Sequence, residues 1–100
     1  IMETLTNIQL NPEGYLTDVD QWNPEVAKLL AEEEEITLTE DHWKVLDYLR
    51  EQYKNEVALT IRRVGKSGVV TIKEFYQLFP KGPLKISSRL AGIPKPASCI

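Results

Sequence analysis

Apolar residues along this chain recur mostly three or four positions apart, the spacing that lines one face of an α-helix. The strongest run follows Thr39. Trp43, Leu46, Leu49 or Arg50, Tyr53 and Val57 share a stripe, Thr39 is placed to cap it, and Glu40 and Asp41 put negative charge in its first turn. Glu40 and Lys44 are spaced to pair across one turn. Its two large aromatics make this the expected central helix. An earlier helix starts at Asn23-Pro24-Glu25, where asparagine caps, proline takes the first position and glutamate complements the dipole. Its face is Trp22, Val26, Leu29 and Leu30, and the run Glu32 to Glu35 ends it.

Downstream the helices are shorter. Leu59 to Val64 predicts one that stops at Gly65, followed by a Lys66-Ser67-Gly68 turn. Thr71 to Glu74 has the spacing of a capping box ahead of Phe75, Leu78 and Phe79. Pro80 closes that helix. Gly82-Pro83 opens a last one, which runs through Ile86 and Leu90 and stops at Gly92. A period of two appears only near the start. Ile8 and Leu10 alternate with polar residues, Asn11-Pro12-Glu13-Gly14 is turn chemistry, and Tyr15-Leu16-Thr17 returns. This predicts a hairpin over about 6–18, which needs helices to pack on.

The expected fold is mainly α: a small helical bundle with a helix-turn-helix-like segment around Gly65, an N-terminal β-hairpin and a mobile C-terminal arm. Residues 1–92 form the single domain and 93–100 the arm. The composition agrees, since 100 residues with 42% apolar and 27% charged side chains suit one small globule. No apolar run is long enough to span a membrane. The net charge of −3 argues against wholesale nucleic-acid binding. One local exception is the group Arg62, Arg63, Lys66 and Lys73. It reads as a basic surface stripe, with contact to nucleic acid, an acidic protein or a tRNA-bound partner as the sharper alternative.

Candidate chemistry is sparse. Cys99 is the sole cysteine, so no disulfide can form within the chain and a reducing cytoplasm is the expected setting. It lies in Ile93-Pro94-Lys95-Pro96-Ala97-Ser98-Cys99-Ile100, where Pro94 and Pro96 forbid a helix and favour a semi-stiff extended arm. Such an arm spans roughly 25 Å at about 3.3 Å per residue, enough to carry a nucleophilic sulfur into another protein's cleft. An ordinary thiol is mostly protonated near neutral pH. Lys95, with Lys85 and Arg89 if the arm folds back, offers charge support, while the terminal carboxylate opposes it; the main activation is expected from the partner's pocket. An incidental terminal cysteine is the plainer reading from position alone.

The other candidates read as structural. His42, the only histidine, is expected at the surface or as a cap. One histidine and one cysteine cannot build a tetrahedral metal site, so no metal or cofactor is expected. Gly65-Lys66-Ser67-Gly68 lacks P-loop spacing. Asp18 and Asp20 read as turn residues, and the Glu32 to Glu35 run as a solvated helix end or, more sharply, a docking patch for a basic partner.

The segments Leu78-Phe79-Pro80-Lys81-Gly82-Pro83, Ala91-Gly92-Ile93-Pro94-Lys95-Pro96 and the penultimate Cys99 resemble the C-terminal signature of the DsrC/TusE family. Gly14-Tyr15-Leu16, Trp22-Asn23, Val26-Ala27 and Thr39-Glu40-Asp41-His42-Trp43 fit the same family. The resemblance implies that Cys99 carries sulfur as a persulfide. Members that partner dissimilatory sulfite reductase use a second cysteine eleven residues upstream, where this chain has Ser88. That departure implies the TusE-like branch, which takes sulfur from an upstream persulfide relay complex and passes it to a tRNA-thiolating enzyme making wobble 2-thiouridine. The alternatives are a DsrC-like protein of dissimilatory sulfur metabolism, a DNA-binding regulator, and a structural subunit with an inert tail.

Overall fold

Most helices begin where a capping group stands in the sequence of this computed structural model, which describes residues 9–95. In α1 (Pro24–Glu33), the Asn23 side chain accepts from the Val26 N–H at 3.0 Å. In α2 (Glu40–Lys54), His42 reaches back and its Nδ1 accepts from the Thr39 N–H at 3.1 Å. Thr60 caps α3 (Ile61–Lys66), and Thr71 and Glu74 close a reciprocal box at 3.1 and 2.8 Å on α4 (Ile72–Leu78). Pro83 opens α5 (Pro83–Leu90), with no side-chain cap from Gly82. Asp18 caps a single 3-10 turn, Val19–Gln21, by accepting from the Asp20 N–H at 2.9 Å. The mainly helical expectation therefore holds.

The hub of the packing is α5 rather than α2. It packs against α1, α2 and α4, and Pro83, Leu84, Ile86, Ser87, Ser88 and Leu90 are all buried. Two serines in the middle of this short helix keep its girth small, so three neighbours can close on it. The aromatics of α2 sit at the edge instead: Trp43 is half-buried and Tyr53 is exposed. That helix contributes Val45, Leu46 and Leu49 to the core, and Phe75 and Phe79 meet edge to face at 5.8 Å. Val57 falls beyond its end.

Gly65 does not stop α3, which continues to Lys66. A Cβ at Gly65 would stand 2.2 Å from Ile72 Cγ1, so this glycine lets α3 and α4 approach closely. The stop is made by Ser67, whose hydroxyl donates to the Val64 carbonyl, and by Gly68 at φ 87°.

At the N-terminal end, the expected hairpin appears among the described residues as one antiparallel bridge, Leu10 to Leu16. The Asn11 side chain organises the turn by accepting from the Glu13 and Tyr15 N–H groups, both at 3.0 Å. Tyr15 and Leu16 are buried. The Thr17 N–H donates to Gln9 O at 2.9 Å, and residues 6–8 of the expected first strand lie outside the described residues.

Candidate functional site

The C-terminus of α5 is where the expected arm leaves the domain, and its geometry follows from Gly92. Ala91 ends the helix, Gly92 takes φ 72°, and the chain reverses. The Ile93 N–H donates to Ser88 O and the Gly92 N–H to Arg89 O, both at 3.2 Å. This is a Schellman arrangement, in which an apolar residue after the glycine packs back on the helix. Ile93 does so and is 1% exposed. Placed in the arm by the sequence reading, it is part of the core. Pro94 and Lys95 are exposed, and Cys99 lies outside the described residues.

Two side chains fasten this exit point. The Trp22 Nε1–H donates to Leu90 O at 2.8 Å. Arg50 donates through Nη1 to Ala91 O at 2.8 Å and through Nη2 to Val19 O at 3.4 Å. Its guanidinium carbon sits 4.3 Å from the Trp22 ring centre, a cation–π stack. Burial pushes Arg50 below the ordinary arginine range, opposed by Asp20 and Asp47. Any Cβ on Gly92 would lie 2.4 Å from Trp22 Cδ1, so glycine is required there for space as well as for φ.

Of the candidates for charge support, Arg89 is the most constrained. Its Nε donates to Gly14 O at 2.8 Å, Nη1 to Glu34 at 2.7 Å and Nη2 to Glu33 at 2.6 Å. One guanidinium thus ties α5 to the N-terminal turn and to the acidic end of α1. Two carboxylates at a helix C-terminus oppose the dipole, and Arg89 offsets them. The acidic run meets a basic partner within its own chain. Lys95 pairs with Glu13 at 2.8 Å on the exposed side of the same turn, and this hydrogen bond and charge hold the Glu13 carboxyl below the usual glutamate value. Lys85 acts on Glu13 in the same direction. The Lys85 side chain is exposed, and its backbone carbonyl accepts from the Tyr15 hydroxyl at 3.4 Å.

Ser88 is fully buried in α5, and its hydroxyl has no hydrogen-bond partner. The position is therefore a core position of the last helix, well before the arm. His42 caps, as expected, but is buried at 6% exposure. Its Nε2 lies 3.0 Å from Leu78 O and its ring meets Phe79 edge-on at 5.1 Å. A carbonyl can only accept, so Nε2 carries the proton and Nδ1 is left to take the Thr39 N–H. Both ring nitrogens are thus spent on structure.

The structure brings Lys85, Arg89 and Lys95 to one turn, at Glu13 and Gly14. Reading the sequence missed Trp22, Arg50 and Glu13. Among the described residues, no group of three or more His, Cys, Asp or Glu is placed to hold a metal ion, and no helix is long and apolar enough to cross a membrane.

The comparisons agree with one another. A family model described as "DsrC like protein" matches residues 4–100. A sulfurtransferase TusE of Buchnera aphidicola subsp. Acyrthosiphon pisum is 40% identical over 109 residues, covering 100% of this chain and 95% of its own length. The dissimilatory-type sulfite reductase subunit gamma of Nitratidesulfovibrio vulgaris is 36% identical over 96 residues, covering 94% and 91%. The crystal structure of the oxidized gamma-subunit of the dissimilatory sulfite reductase (DsrC) from Archaeoglobus fulgidus superposes with a TM-score of 0.80 at 37% identity, covering 93% of this chain and 92% of that one.

Proposed function

The chain belongs to the family of DsrC-like proteins, and on that footing we propose that it is a sulfur carrier acting through Cys99 in tRNA thiolation. The observation that carries this reading is the match to relatives named sulfurtransferase over nearly the whole chain, with identities of about 40%. The Cys99 thiolate attacks the terminal sulfur of a donor persulfide. The donor's S–S bond breaks, its thiolate leaves, and the sulfur and its proton remain on Cys99 as a new persulfide. The same exchange in reverse hands the sulfur to an acceptor. The donor is an upstream persulfide relay complex, and the acceptor is a tRNA-thiolating enzyme, both in the cytoplasm.

Within this reading, Lys85 favours a thiolate or persulfide anion near the arm's base, and Lys95 does so once it leaves Glu13. Arg89 already faces two carboxylates. Its contribution is to hold the turn and α1 against the helix that carries the arm.

A second reading, a subunit that works with dissimilatory sulfite reductase, draws support from the gamma-subunit relative. Ser88 weighs against it. That chemistry joins two cysteines of one chain, and here the second position holds a serine that cannot form a disulfide.

The test is mass spectrometry after incubation with a labelled persulfide donor. The wild type gains roughly 32 Da, one sulfur atom, which a thiol reductant removes, and Cys99→Ser gains nothing while keeping its fold. Uptake by the serine variant would sink the proposal.

A further inference from the structure

Away from the arm's base, Tyr48, Thr60, Arg62, Arg63, Lys66 and Ser67 line an open cleft of about 400 Å³ between α2 and α3. The two arginines and the lysine are exposed, and none forms an ion pair with a described residue. No carboxylate lines the cleft. The local sequence explains why: residues 57–73 hold four cations and no acid, in a chain whose net charge is −3. Thr60 Oγ1 accepts from the Arg63 N–H at 3.0 Å, which leaves its own proton for a ligand. Tyr48 adds a half-buried aromatic ring.

We propose that this cleft binds the sugar-phosphate backbone of the RNA whose base receives the sulfur. Adjacent guanidinium groups match phosphate oxygens with paired donors, and the lysine adds a point charge. A hydroxyl donor and an aromatic ring beside them suit an RNA strand with unstacked bases, since such a ring can take a base face. An acidic protein surface would use the cations but has no base for the ring. The proposal rests on the reading of the chain as a relay that ends at tRNA. It adds that the carrier touches the nucleic acid directly, so that sulfur is delivered only where the RNA is already held.

The experiment is fluorescence anisotropy of the full-length protein with labelled, deproteinised bulk tRNA. Three neutralised phosphates predict an affinity that falls about 20- to 40-fold between 50 and 200 mM salt. Arg62→Ala, Arg63→Ala and Lys66→Ala should each flatten the log–log slope by about one unit, with unchanged circular dichroism. The control Lys28→Ala/Lys81→Ala should leave the slope alone. Polyglutamate should fail to displace the tRNA, and duplex DNA should compete more weakly than unlabelled tRNA. The proposal is overturned by a slope that ignores the cleft variants, equal flattening in the control, displacement by polyglutamate, or duplex DNA binding as tightly. Cys99→Ser separates the two readings, because it should bind tRNA like wild type while taking up no sulfur. If wild type takes up no sulfur but the cleft variants still lose tRNA, the relay falls and the cleft stands. If sulfur loads and tRNA binding ignores the cleft variants, the cleft falls and the relay stands.

Discussion

Arg50 Nη1 donates to the carbonyl oxygen of Ala91 at 2.8 Å, so a side chain from α2 is bonded to the backbone just past the end of α5. The same guanidinium stacks on Trp22, which itself bonds Leu90 O. Helix termini leave carbonyls without intrahelical partners, and here two of them are met by side chains from distant segments.

Replacing Arg50 by methionine keeps the apolar stem and removes the donors. Stability should fall by about 2–3 kcal/mol, the scale of hydrogen bonds to charged groups plus an orphaned carbonyl. Arg50→Lys should recover less than half, because an ammonium has no planar fork to reach two carbonyls and stack at once. Urea unfolding checks both. A loss under about 0.5 kcal/mol for the methionine variant would show that the contact contributes little.

Gly92→Ala should be more harmful than its single methyl suggests. Residue 92 sits at φ 72°, and the new carbon would stand 2.4 Å from Trp22. A loss above about 1 kcal/mol is expected, larger than for an alanine at an unstrained glycine. The Trp22 indole N–H should also shift in the NMR spectrum, since the ring must move.

Ser88→Ala should leave stability unchanged or raise it by about 1 kcal/mol, because it removes a buried hydroxyl that bonds to nothing. Thermal unfolding measures this directly. A marked drop in melting temperature would mean that the hydroxyl has a partner after all.

The Glu13 carboxyl should titrate below the ordinary glutamate value of 4.5, chiefly through its hydrogen bond to Lys95 and then through that residue's charge. Lys95→Ala should move it up, and Lys85→Ala should move it up by less. Because the folded-state value is depressed, the pair's contribution to stability is present above the unfolded value and is lost as pH falls through the folded one. Carboxyl NMR across pH 3–6 follows the shift, and a Glu13 titration unmoved by Lys95→Ala would refute the pairing.

Much of the helical plan was legible because caps are local. Asn23, Thr71 and Glu74, and Pro83 each act within four residues of where they stand, so spacing alone predicts them. Thr39 was legible too, although its reciprocal partner is a histidine where a glutamate or glutamine is usual. The hub was not legible, since α5 contains Ser87 and Ser88 and has fewer large apolar residues than α2; being slender is what lets it be surrounded. The contacts at the candidate site were hidden for a different reason. Arg50 meets Ala91 across 41 residues and Arg89 meets Glu34 across 55, and no local pattern encodes such a meeting. Ile93 was readable in principle, because an apolar residue just after a helix-ending glycine is the mark of a chain that folds back.

The burial of Ile93 fixes where the chain leaves the core. Cys99 lies six positions further along, a contour length of at most about 20 Å. That length is the greatest distance at which Cys99 can stand from one point of the surface, the end of α5. On the sulfur-carrier reading proposed above, an acceptor would have to bring its reactive group within that distance of the end of α5, and one docked on the far side of the domain would meet no thiol. Partner choice would then be a matter of docking geometry as well as of chemistry: a donor and an acceptor would have to take turns at the same pole of the molecule.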